Sequence, residues 1–83
     1  MPDRDAILVD VGERLVRLRN ERGYDLNRAA AAADVTPERL ADAEAGAVAL
    51  SEAEIAALAQ AYGIAATAIF GDSVTRLQDY ALG

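Results

Sequence analysis

Apolar residues recur along this chain at three- and four-residue steps, and no stretch carries a strand signal. Leu8, Val11, Leu15 and Leu18 give one buried stripe to a first helix predicted over residues 5–22. Arg14, Arg17 and Glu21 fall on the opposite, solvated side. Gly23 ends this helix, and Arg19 and Arg22 sit in its last turn, where cations suit the helix dipole. Tyr24 is placed to plug the corner before the next helix. The stretch 25–46, DLNRAAAAADVTPERLADAEAG, then reads as two short helices joined by a tight turn. Asp25 caps the first, in which Leu26, Ala29, Ala30 and Ala33 share a face. The pattern breaks at Asp34-Val35. Thr36 is a second cap, and Pro37 stands at the first helical position, where its missing N–H costs nothing. Leu40 and Ala43 give this third helix, residues 37–45, its apolar face, and Gly46 is placed to end it in the left-handed conformation. The run of alanines leaves one helix face without bulk, so two helix backbones can approach closely.

Residues 47–50 read as a short connection. Ser51 and Glu54 form a capping box that opens a fourth helix, with Ile55, Leu58, Ala59 and Tyr62 facing inward. Gly63 stops it, and Ile64 supplies the apolar contact that follows such a stop. A fifth short helix is predicted over residues 65–70, with Ile69 and Phe70 closing the core. Gly71-Asp72 breaks the chain again, and the tail 72–83 places Val74, Leu77 and Ala81 on one side of a further turn or two.

Composition narrows the function more than the fold. The 83 residues are 53% hydrophobic, which fits one small helical domain with a single core. There is no cysteine and no histidine. A disulfide framework, a thiolate metal site, the commonest general base and the commonest metal ligand are therefore all missing, and no metal or cofactor is expected. Nothing assembles a nucleophile with its base, so the chain does not read as an enzyme. No apolar run reaches the length of a membrane span, and the acidic N-terminus does not resemble a signal peptide, so a cytoplasmic protein is expected. Net charge is −6 and the pI is about 4.4. That argues against indiscriminate nucleic-acid binding, but leaves room for a local basic face.

From Val11 to Phe70 the chain resembles the phage-repressor-like, XRE-type helix-turn-helix family. The likeness is carried by LRxxRG at Leu18 to Gly23, Ala30, the Val35-Thr36 turn, and Glu44-Ala45-Gly46. The Ser51 cap and LAxAxGI…IF from Leu58 to Phe70 complete it. The resemblance implies an all-α, five-helix bundle as one domain, with its core over about 8–70 and the helix-turn-helix over 25–46. It implies that the third helix is a recognition helix laid in the major groove of double-stranded DNA. It also implies a pair between Arg19 and Glu44 that ties the first helix to the recognition helix.

The reading positions depart from the family's habit. Leu26 stands where glutamine usually meets phosphate, Ala45 precedes the terminal glycine, and Ala47, Val48 and Ala49 fill a loop that often carries cations. What remains for DNA is Arg28, Thr36, Pro37, Glu38, Arg39 and Asp42. Thr36 can touch phosphate while capping the helix. Arg39 is the best single reader, since arginine forks onto guanine O6 and N7; its bland alternative is an i, i+3 pair with Asp42. Arg28 is a phosphate donor or a solvated charge. Glu38 and Asp42 either accept from cytosine N4 or simply solubilise an exposed face. Arg14 and Arg17 read as solvated charge.

Two functions follow. One is a sequence-specific DNA-binding transcriptional regulator acting as a homodimer through Val74, Leu77, Tyr80 and Ala81. The other keeps the fold but uses it as a protein-interaction module, antitoxin-like or accessory, with a basic protein as partner.

Overall fold

The computed structural model describes residues 4–69. Among them the chain forms five helices: α1 Arg4–Glu21, α2 Leu26–Ala33, α3 Pro37–Glu44, α4 Glu52–Tyr62 and α5 Ala66–Ile69. No strand occurs among the described residues, so the all-α bundle expected from periodicity and resemblance is the architecture present. α1 packs on α3, α2 lies between α3 and α4, and α5 closes against α4 and α1.

α2, α3 and α4 each start where a side chain accepts from a free amide of the first turn. Asp25 accepts from the Arg28 amide, Thr36 from Arg39, and Ser51 from Glu54. The Glu54 carboxylate returns the favour by accepting from the Ser51 N–H at 2.7 Å, completing the capping box. The stops are equally local. Gly63 takes φ +71°, and the Ile64 amide then reaches back to the Ala59 carbonyl at 3.0 Å.

The core is built from Val11, Leu15, Leu40, Leu50, Ile55, Leu58 and Ile69, all essentially solvent-free. Burial of each large aliphatic side chain contributes about 2 kcal/mol. Ala29, Ala30 and Ala33 of α2 are also buried, and they are small enough to let α2 settle between α3 and α4.

Several boundaries and burials differ from the sequence reading. α1 spans Arg4–Glu21, one residue earlier at each end. α3 ends at Glu44 with Ala45 as its cap, and α5 begins at Ala66. Leu18 is half-buried, packed at the margin of the core. Leu50, read as part of a connection, is fully buried, because the loop from α3 folds inward before α4 begins. Phe70 and the whole tail 72–83, with Val74, Leu77, Tyr80 and Ala81, lie outside the described residues.

Candidate functional site

The unit α2–turn–α3 positions the candidate site. α2 closes through Asp34, which adopts the left-handed conformation at φ 58° and ψ 43°. Aspartate tolerates that region better than bulkier residues do. The Val35 amide bonds the Ala30 carbonyl at 3.0 Å, so the chain reverses within two residues and delivers Thr36 to cap α3. Leu40 and Ala43 turn inward, while Thr36, Glu38, Arg39 and Asp42 are exposed and Pro37 is half-buried. Five of the six positions proposed for DNA thus lie on the leading end and outer face of one helix; Arg28 stands apart on α2.

α3 is locked to α1 by backbone proximity and by charge. Gly12 faces the C-terminal end of α3 so closely that a Cβ there would sit 2.5 Å from the Glu44 carbonyl oxygen and 2.8 Å from that of Ala43. Gly46, at φ +78°, meets Val9, whose Cα would lie 2.9 Å from a Cβ. Neither close approach was drawn from the sequence. Gly12 falls on the same helical face as Leu8 and Leu15, and a glycine on a buried stripe is the signal that pointed to it. Arg19 donates from Nε to Glu44 Oε2 at 2.7 Å and from Nη2 to Oε1 at 3.1 Å. Its Nη1 donates to the Tyr24 carbonyl at 3.0 Å. Only 16% of the Arg19 side chain and 8% of the Glu44 side chain are exposed. The hydrogen bonds to Glu44 raise the Arg19 pKa above its ordinary value against the opposing cost of burial.

Arg39 makes a contact that sequence reasoning did not find. Its guanidinium does not turn along α3 to Asp42 but crosses to α4, where Nε donates to Glu54 Oε2 at 2.8 Å and Nη2 to Oε1 at 2.9 Å. Nη2 also lies 3.5 Å from the Ala49 carbonyl. The reason is preorganisation. Glu54 is already oriented by the capping box, so its carboxylate presents both oxygens to a planar fork. Hydrogen bonds from Arg39, joined by those from Ser51, hold the Glu54 carboxyl at about 2 against an ordinary 4.5.

Arg28, Arg14 and Arg22 are also engaged. The Arg28 guanidinium carbon stands 4.3 Å from the centroid of the Tyr24 ring, a cation–π stack that neither sequence alternative included. Arg14, expected on the wet side, is half-buried and pairs with Asp10 at 3.2 Å. Arg22 donates to the Tyr62 carbonyl at 2.6 Å. Arg17 is exposed. Tyr24 does fill the corner after α1, meeting Tyr62 edge to face at 5.8 Å and donating to the Ala61 carbonyl at 3.3 Å. Burial pushes the Tyr62 hydroxyl up to about 12. No cluster of acidic side chains suited to a metal ion occurs among the described residues. No helix among them is long and apolar enough to cross a membrane.

Comparison with known proteins agrees with this geometry. A family model described as a helix-turn-helix domain matches residues 10–68. Among solved structures, the chain is similar to the restriction-modification controller protein C.AhdI from Aeromonas hydrophila. That match has 28% identity and a TM-score of 0.73, and covers 76% of this chain and 96% of that one. It is also similar in fold to the clp gene regulator ClgR from Corynebacterium glutamicum, at 24% identity and a TM-score of 0.74, covering 92% of this chain and 78% of that one. No curated protein sequence matches.

Proposed function

The chain belongs to the helix-turn-helix domain family, and from that premise we propose that it is a DNA-binding transcriptional regulator whose α3 enters the major groove. C.AhdI is a controller protein and ClgR a gene regulator, and both share this fold. One observation above all supports the reading. α3 rests on α1 and α2 through Leu40 and Ala43, while Thr36, Glu38, Arg39 and Asp42 remain solvent-facing at its leading end and outer face. In this reading Thr36 and the amides it leaves at the helix start meet phosphate, and Pro37 sets the entry angle. Arg39 reads guanine, Glu38 and Asp42 discriminate through cytosine N4, and Arg28 steadies the duplex from α2. The protein acts as a homodimer, with Val74, Leu77, Tyr80 and Ala81 as the candidate contact and half-sites about 34–36 Å apart.

The protein-partner alternative retains one specific support. Arg39 is the only Lys or Arg between residues 29 and 75, and its charge is matched by Glu54. With Arg14 paired and Arg28 stacked, the cations do not form a bare positive stripe. Selection of bound duplexes from a random pool separates the two functions. The regulator reading expects one enriched motif, with Arg39→Ala losing one base preference and about 1–3 kcal/mol of affinity. Absence of any enrichment at low salt, from a protein that is fully helical, would hand the fold to a protein partner.

A further inference from the structure

The clasp between Arg39 and Glu54 joins the outer face of α3 to the first turn of α4. Three features make it more than a chance surface pair. Arg39 is the sole cation that the stretch 29–75 can offer to a phosphate. Its partner is a rigid acceptor, because Glu54 Oε1 is held by the Ser51 amide at 2.7 Å while it also takes Nη2 of Arg39 at 2.9 Å. The contact is a two-point fork, with Nε and Nη2 each donating to a different carboxylate oxygen, the same geometry that arginine uses toward phosphate or a guanine edge.

We infer that Glu54 is a guard on Arg39: its carboxylate competes with DNA phosphate for the guanidinium, so only a target that replaces the whole fork engages it. The inference rests on the reading that α3 meets DNA. A fixed internal competitor subtracts the same amount from every contact Arg39 makes. Weak, single-point contacts to passing phosphates fall below usefulness, and a correct two-point contact survives. Glu38 and Asp42, exposed on the same helix, work in the same direction against phosphate.

The test is Glu54→Gln in the full chain, measured on a selected duplex and on a scrambled duplex over a fourfold range of salt. Glutamine serves in the same capping box, so α4 keeps its start while the competing charge is removed. The expected result is tighter binding to both duplexes, because the competing charge is gone from every contact Arg39 makes. The salt slope on the scrambled duplex steepens by about 0.9, one added phosphate, so affinity falls about three- to fourfold more across the range than for the unaltered chain. The same substitution made beside Arg39→Ala produces none of this, because the guard has nothing to guard. A Glu54→Gln protein with unchanged slope and unchanged affinity for both duplexes overturns the inference while leaving DNA binding intact. So does one that weakens on both duplexes, as loss of mere structural support would cause, or one whose gain persists without Arg39. If neither protein binds any duplex at low salt while circular dichroism shows a folded bundle, the DNA reading itself falls and the guard with it.

Discussion

At the scale of single residues, the positions that matter most to α3 are those with the least side chain. Gly12 has backbone atoms of Ala43 and Glu44 where a Cβ would go, the nearest at 2.5 Å. Backbone cannot yield as a flexible side chain does, so Gly12→Ala must push α1 and α3 apart. Chemical denaturation is expected to show a loss of about 1–3 kcal/mol, the usual range for overfilling a tight site. Tyr62 offers the opposite case. The residue is 4% exposed, yet its buried hydroxyl finds no hydrogen-bond partner among the described residues. Removing an unsatisfied group should not harm the fold. Tyr62→Phe is expected to leave the unfolding free energy unchanged or raise it by about 1 kcal/mol. A clear drop in urea midpoint would show that the hydroxyl has a partner after all.

At the scale of elements, α3 is a short helix held from two sides by carboxylates. Glu44 ties its last turn to α1 through Arg19, and Glu54 ties its first turn to α4 through Arg39. Eight residues are too few to be helical alone in water, so tertiary contacts supply its stability. The Glu54 carboxyl has a lowered pKa in the folded chain, about 2 against an ordinary 4.5. Its contribution is therefore complete above about pH 4.5 and is lost as pH falls toward 2. Denaturation followed across that window should show stability declining with acid, and Glu54→Gln should flatten that part of the decline. Arg39 remains 43% exposed in the pair, so solvent screening keeps the effect modest.

At the scale of the whole molecule, a chain of net charge −6 carries few unopposed cations around α3 among the described residues. A regulator of this kind should engage few phosphates per copy. The logarithm of affinity plotted against the logarithm of salt is expected to slope well short of about −7, the value that eight neutralised phosphates give at about −0.9 each. A slope that steep would mean phosphate contacts that these residues do not offer. What the sequence by itself determined was governed by neighbours within a few positions. The caps at Asp25, Thr36 and Ser51, the stop at Gly63 and the inward stripes of α1 and α4 are written in spacing and local hydrogen bonding, while their assembly into a helix-turn-helix bundle was implied by the family resemblance. Apart from the Arg19–Glu44 pair, which the family resemblance implied, tertiary structure decided which groups from distant positions meet. Leu50 is buried because a loop folds inward, Arg28 stacks on Tyr24 because two helices turn a corner, and Arg39 finds Glu54 instead of Asp42. A charged side chain long enough to reach several partners takes the one whose geometry is already fixed, and that depends on where the other helices are placed.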